Sequence, residues 1–593
     1  MIQSQEENSK FLQKWPYYLS ILILLFIFYI YSCSIYSDKL FLGEGDKGGR
    51  FLIAMEFAHD PSKALDLKYW VSAWPPVPFI IQSFILRLVL FSVTSDISIG
   101  IKAVELTGVA FVLLGFFFIG RSVALQTNEM TGLLAFLMCF HTPLILDLAH
   151  TTMAESYGLF FIMGGFYNVF SYVKYNQKLN YIIAVLFFIL GYFCRTESLV
   201  FSLIAGIFLL ANKKWKSAIL LMVITVSVAV AQTLGASFLI EGIHFYQRDL
   251  WGGKGLDRLR YAKMLFFYFL SASKELILFA LLWIIPVIYL NFKRHTSIKS
   301  NQVVKTKLNL KIHIIKFYNN LKVWLVDYPI TIWIILFVSA LALPILLALQ
   351  GAIDPLARYL CLANIFISTV IALIIAQTAD TLSVSNKRLG KQLVIANLVV
   401  VVIFSITFSF SYASGSVKSQ NIRLSIKEVI NVISQNKLPK TRIVFDFLDW
   451  QELGMAAYLL DPELEKIPTQ FSLIWTAFPR AIDSEITSLL PKKFQIPAPQ
   501  STVEGRTAVF HSYIYAKHPS YFVIASDNLY KEIENLLRVK SAIGYGKNYI
   551  RKYLTPKDTT KSRFEFQSPY ILPENKIILT KVYENESYII LKS

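Results

Sequence analysis

The sequence predicts an α-helical polytopic membrane protein of about eleven spans, followed by a C-terminal extracytoplasmic α/β domain. Three observations carry that expectation. Apolar runs close to 20 residues recur through the first two thirds of the chain, mean hydropathy is +0.51, and the composition changes near Lys418. With 55% hydrophobic and 16% charged residues among 593, a soluble globular chain is excluded. The formal net charge of +19 sits in short loops between apolar runs, where Lys and Arg set topology and meet anionic headgroups, so no nucleic-acid partner is expected. Cys33, Cys139, Cys194 and Cys361 lie within or beside apolar stretches and read as small hydrophobes, without a disulfide framework or zinc pattern.

A spanning helix needs about 20 apolar residues. The runs that qualify are 17–37, 102–121, 131–148, 156–173, 180–194, 197–211, 217–239, 274–292, 329–350, 358–378 and 391–411. The first lacks a small-residue cleavage site and reads as a retained anchor. The stretch 77–94, after Trp74-Pro75-Pro76, is long enough to count as another span. The distribution of basic loops decides against it. With 77–94 laid along the outer interface, Lys174–Lys178, Lys213-Lys214-Trp215-Lys216, the loop 293–322 and Lys387…Lys391 all fall on the cytoplasmic side. The third of these carries eight Lys or Arg and no acid before Asp327. The N-terminus is then inside and the C-terminus outside. Spans 180–194 and 197–211 are short and are expected to form a recessed hairpin with Arg195-Thr196-Glu197 at its tip. The domain boundary falls between residues 1–415, which include an outer loop 38–101 with juxtamembrane helices, and 416–593.

Beyond Lys418, Ile422–Gln435 has helical spacing, and Arg442–Phe447 and Tyr521–Ala525 read as strands, the second leading into a helix over Asn528–Arg538. Ile577–Tyr583 and Tyr588–Leu591 form a hairpin around Glu584-Asn585-Glu586-Ser587. Asn585-Glu586-Ser587 also fits a glycosylation acceptor pattern, but the turn suffices to explain it.

On this topology the outer face collects the chemistry-bearing residues. Gly45-Asp46-Lys47-Gly48-Gly49-Arg50 begins a short polar loop that passes into a helical pattern at Phe51, Leu52, Met55 and Ala58. A carboxylate at a membrane surface, such as Asp46 or Glu155, can act as a general base once partly desolvated. Each has a plainer alternative: Asp46 as a solvated loop acid, Glu155 as a helix-start acid favoured by the dipole. Arg358-Tyr359 follows the Asp354-Pro355 turn. An arginine there suits a phosphate, with snorkelling to headgroups as its alternative. Arg195 and Glu197 are expected to pair. Arg248 and Arg258, around Trp251-Gly252-Gly253, form a basic outer loop and a second candidate phosphate contact. Arg50, Glu197 and Trp74 complete the expected cavity. His141 and His150 lack a companion at metal-ligand spacing, and no phosphate-binding loop or dinucleotide fingerprint is present.

Span 1 followed by Gly45-Asp46-Lys47-Gly48-Gly49-Arg50-Phe51-Leu52 and Pro75-Pro76-Val77-Pro78 resembles the opening of GT-C membrane glycosyltransferases, in their protein O-mannosyltransferase and aminoarabinose-transferase branch. Thr151-Thr152-Met153-Ala154-Glu155 and Arg358-Tyr359-Leu360 are similar to later motifs of that family, and Arg195 sits where a basic residue is common. The resemblance covers roughly residues 15–380. It implies a polyprenyl-phosphate-linked sugar donor, an acceptor of unspecified class, an outer cavity and inversion at the anomeric carbon. By the same likeness Asp46 is the base that deprotonates the acceptor, and Glu155 a second acid. Arg358 becomes the partner for the donor phosphate, with Tyr359, Arg195 and the basic loop of Arg248 and Arg258 as the further candidate contacts read from the residues. Many relatives carry a second acid directly after the first; here the position is Lys47, which cannot help hold a metal. A metal-independent mechanism without a cofactor is therefore expected ahead of one using a divalent metal, with altered donor recognition as the alternative meaning of the lysine. The localisation that follows is a bacterial inner membrane with an extracytoplasmic site. Two other readings stand beside it: a transporter or flippase of lipid-linked glycans, and a glycan polymerase or ligase relying on Arg248 and Arg258.

Overall fold

The computed structural model describes residues 16–30, 46–70, 76–90, 92–94, 96–141, 153–239, 259, 262–270, 328–350, 357–385, 420–436, 442–446, 455, 459, 470–474, 520–526, 570–571, 578–586 and 588–592. They fall into two compact units. The first comprises residues 1–35 and 106–415, and the second residues 36–105 and 416–593.

The first unit is helical. Its elements are α1 (Pro16–Ile30), most of α5 (Ile97–Gln126), α6 (Glu129–Met138), α7 (Ala154–Tyr175), α8 (Lys178–Tyr192), α9 (Ser198–Ala211), α10 (Trp215–Leu239), α11 (262–270), α12 (Pro329–Gln350) and α13 (Cys361–Ser385). Among the described residues, four helices are long and apolar enough to cross a membrane: Ile97–Gln126, Trp215–Gly235, Pro329–Gln350 and Cys361–Ala379. The expected spans 274–292 and 391–411 lie outside the described residues. The run 131–148 is helical over 129–138 and tightens to a 3-10 turn at Cys139–His141. The span read as 102–121 is one 30-residue helix that starts further back, where Asp96 caps its first turn by accepting from Ser98 N at 2.8 Å.

Two features hold this bundle. Gly164 and Gly165 on α7 face α8 so closely that a β-carbon at either would meet Phe187 at 2.3 Å or Phe188 at 2.9 Å. Trp333 on α12 is fully buried, packs toward Phe170 and Phe366, and donates from Nε1 to Gln126 Oε1 at 3.0 Å. That bond satisfies the indole N–H deep in an apolar core.

In the second unit, α2 (Asp46–His59) pairs with α4 (Val77–Leu90), with α3 (Leu67–Trp70) between them in sequence. The polar run at 45–52 is therefore helical from Asp46 and does not begin a loop. Buried Phe51, Leu52, Ile53, Met55 and Phe57 supply enough packing to override two glycines in the first turn. Phe57 lies edge-on to Tyr69 at 4.8 Å and to Phe79 at 6.4 Å. On α4 the buried stripe is Phe79, Gln82, Ser83, Leu86 and Leu90, while Phe84 and Leu88 are exposed. At 14 residues α4 is about 21 Å long, shorter than a hydrocarbon core of about 30 Å.

The strands β1 (Arg442–Asp446), β2 (Gln470–Ile474), β3 (Tyr521–Ala525), β4 (Tyr570–Ile571), β5 (Ile578–Glu584) and β6 (Tyr588–Lys592) form one sheet in the order β2-β1-β3-β6-β5-β4. Strand β1 runs parallel to β2 and β3, and the β3–β6, β6–β5 and β5–β4 pairs are antiparallel. The expected strands at 442, 521, 577 and 588 are present. Strands β2 and β4 were not anticipated, and the expected helix 528–538 lies outside the described residues. Helix α14 (Gln420–Asn436) buries Ile426, Val429 and Ile433, one stripe at helical spacing. The β5–β6 turn is closed by Asn585, whose Oδ1 accepts from Tyr588 N at 2.9 Å. Its Nδ2 donates to Ser425 O at 2.9 Å and to Glu428 Oε2 at 3.0 Å. This is the turn role anticipated for Asn585.

Candidate functional site

A small cleft, partly open to solvent, lies within the first unit. Its polar wall is Glu155, Arg195, Glu197 and Tyr359, and Phe201, Leu343 and Pro344 stand on its apolar side. Local sequence explains each placement. Helix α7 starts after Met153, which supplies no side-chain cap, so Glu155 in the first turn provides the negative charge that a helix N-terminus favours. The α8–α9 turn fixes Arg195 by its own backbone: its N–H donates to Gly191 O at 2.8 Å and its carbonyl accepts from Ser198 N at 3.0 Å.

The Arg195 side chain reaches back across this turn. Nη1 donates to Glu155 Oε1, Nη2 to Glu197 Oε1, and Nε to Glu197 Oε2 at 3.1 Å. Its guanidinium carbon stands 5.5 Å from the Tyr359 ring centre. Three of its five N–H groups are so engaged among the described residues. Burial opposes the charge on Arg195, but the carboxylates of Glu197 and Glu155 outweigh that effect and hold the guanidinium firmly protonated. The expected Arg195–Glu197 pair is thus present, with Glu155 as a further partner 40 residues away in sequence.

Gly158 was missed by sequence reasoning. A β-carbon there would meet Arg195 Cγ at 2.7 Å, so the bare backbone of α7 is what lets the arginine lie against it. Its signal is the spacing Glu155-x-x-Gly158, one helical turn. Pro344 was also missed. Inside α12 it has no N–H to donate to the Ala340 carbonyl, and both residues line the cleft.

The remaining candidates are dispersed. Arg358 lies beside Tyr359 on the 3-10 helix Ala357–Leu360, and its side chain is outside the described part. Asp46 is the first residue of α2, in the second unit, and its side chain is likewise undescribed; Arg50 follows it by four positions, one helical turn. The Arg50 side chain is buried, with its guanidinium carbon 5.8 Å from the Phe79 ring centre. Trp74, Arg248 and Arg258 lie outside the described residues. No group of three or more His, Cys, Asp or Glu stands ready to hold a metal ion among the described residues.

At the opposite end of α7 stands Lys174, 19 residues beyond Glu155 and so about 28 Å along the helix axis. The acid–guanidinium cluster and the basic end of the bundle are separated by about one hydrocarbon thickness.

No family model and no curated protein matches the sequence. Solved structures do match. ArnT from Cupriavidus metallidurans bound to undecaprenyl phosphate superposes with a TM-score of 0.52 over 97% of both chains, at 10% identity. The apo form of the same protein gives 0.40 over 97% of each chain, at 12% identity. The Archaeoglobus fulgidus oligosaccharyltransferase tethered to an acceptor peptide gives 0.43, covering 87% of this chain and 69% of its own, at 13% identity. Of the three, the ligand-bound ArnT superposition is close enough to carry an argument, and at that identity it speaks for the fold. Nearly the whole chain thus shares the fold of that ArnT structure, in keeping with the fold that its short motifs led one to expect.

Proposed function

We propose that this integral membrane protein is a glycosyltransferase that moves a sugar from a polyprenyl-phosphate donor to an acceptor on the extracytoplasmic face. The observation that carries the reading is the superposition on ArnT over 97% of both chains, a structure that holds undecaprenyl phosphate. The opposed charge character of the two ends of α7 supports the sidedness, since lysine-rich ends face the cytoplasm. In full, the proposal has eleven spans in residues 1–415, an extracytoplasmic α/β domain in residues 416–593, and a bacterial inner membrane as its place.

In the proposed step the acceptor's hydroxyl or amine attacks the anomeric carbon and gives its proton to the Asp46 carboxylate. The bond from that carbon to the phosphate oxygen breaks, and the bonding pair leaves with polyprenyl phosphate. Attack from the face opposite the leaving group inverts the centre, whether the sugar is a hexose or a pentose, and no metal takes part. The leaving phosphate gains negative charge, which Arg358 with Tyr359, Arg195 and the Arg248 and Arg258 loop would offset. Glu155 and Glu197 hold Arg195 ready for that role.

The test is transfer of labelled sugar from synthetic polyprenyl-phosphate donors by the purified protein, wild type beside Asp46→Asn. We expect transfer by wild type and its loss in a variant that still folds. Donor that binds and is never consumed, with cell-extract acceptors present, would turn the reading to a transporter.

A further inference from the structure

The cluster at the far end of the bundle is unused by the proposed reaction. The α7–α8 turn carries Lys174 and Lys178, and the α9–α10 turn carries Lys213, Lys214 and Lys216; neither the segment 174–178 nor 212–217 contains an acid. The fold brings the two turns together. Lys214 Nζ donates to Asn176 Oδ1 at 2.7 Å, Tyr181 OH donates to Ser217 O at 2.9 Å, and Tyr172 and Ser217 share a hydroxyl bond of 2.9 Å. Lys174 Nζ donates to Leu125 O at 3.0 Å, which adds α5 to the assembly. Asn176 and Lys213 both adopt left-handed backbone, with φ of 57° and 60°, so each chain reversal is tight and the lysines stay within a narrow zone.

Lys178, Lys213 and Lys216 are exposed on this surface. So are two aromatic rings, Tyr175 at 55% and Trp215 at 57%. The Lys216 ammonium stands 5.4 Å from the Trp215 ring centre, and Lys214 stands 5.4 Å from that of Tyr172. Amphipathic rings interleaved with ammonium groups, about 28 Å along α7 from the Glu155 cluster, match the headgroup level of a bilayer.

We propose that the paired α7–α8 and α9–α10 turns form a binding surface for anionic phospholipid headgroups. Lys178, Lys213 and Lys216 contact lipid phosphates there, and Trp215 and Tyr175 seat among the glycerol and upper acyl groups. The charge complementarity selects this occupant. Lys174 and Lys214 serve differently, since their amines tie helices together.

The test uses the full chain purified in a neutral detergent, with thermal unfolding followed as phosphatidylglycerol or phosphatidylcholine is added. Phosphatidylglycerol is expected to raise the midpoint saturably, phosphatidylcholine much less, and 0.5 M salt to weaken the effect. Each exposed lysine near an anionic surface contributes about fivefold in affinity, so K178Q alone should raise the apparent dissociation constant about fivefold and K178Q/K213Q/K216Q about a hundredfold. A triple variant that responds like wild type overturns the proposal. So does equal stabilisation by the two lipids, or stabilisation by inorganic phosphate alone, which would mark a free-anion site.

Discussion

Replacing Arg195 by methionine removes the guanidinium while keeping an unbranched side chain against Gly158. The side chain of Arg195 is 15% exposed, that of Glu155 3% and that of Glu197 17%, so the substitution strands carboxylate charge in a place that water barely reaches. Removing one partner of a buried pair costs about 3–5 kcal/mol, well above the 0–1 kcal/mol typical of a surface pair. The assay is denaturant or thermal unfolding in detergent at pH 8. Glu155→Gln added to Arg195→Met should recover part of the lost stability, a coupling that a double-mutant cycle reads directly. A single variant as stable as wild type at pH 8, or a double variant in which the two losses simply add, would refute the picture of a buried, mutually dependent cluster.

Two further outcomes follow from the same geometry and from the sheet. Gly158→Ala places a methyl group 2.7 Å from Arg195 Cγ, on a side chain whose far end is pinned by three hydrogen bonds. Despite the better helix propensity of alanine, it should destabilise by about 1–2 kcal/mol in unfolding measurements. In the second unit, Glu428 accepts from Tyr583 OH at 2.7 Å and then from Asn585, and these bonds hold its carboxyl below the ordinary value of 4.5. A depressed carboxyl stabilises the fold above the unfolded value and loses that contribution as pH falls through the folded one. Protection of β5–β6 amides against hydrogen exchange, taken relative to the intrinsic rate at each pH, should therefore fall as pH drops below the ordinary carboxyl value of 4.5, and Glu428→Gln should remove this acid dependence.

Much of the helical layout was legible because the apolar runs are long and their breaks are polar. The α8–α9 hairpin is the clearest case, with Arg195-Thr196-Glu197 between two helices. Strands 442–446, 521–525 and 588–592 were legible from β-branched and aromatic runs. The start of α2 was not, because Gly48 and Gly49 signal a loop locally while the buried residues after them decide the backbone. Strand β2 was missed because its partner across the sheet, and not its own five residues, identifies it. At the cleft, the i, i+2 pairing of Arg195 with Glu197 could be anticipated. Its bond to Glu155, and the room left by Gly158, arise from tertiary approach of α7 to the hairpin, which no local pattern encodes.

The hairpin's length has a consequence of its own. Helices of 15 and 14 residues rise about 22 and 21 Å, some 8 Å less than a typical hydrocarbon core. If this pair crosses the bilayer, as the sequence leads one to expect, the bilayer must thin or let headgroups sink toward the turn, at a cost of fractions of a kcal/mol for each ångström of mismatch. Either response would bring lipid phosphates and water closer to Arg195. In a bilayer that the hairpin crosses, its length would set a local depression, and the thickness of the host membrane would become a variable of the cleft's environment.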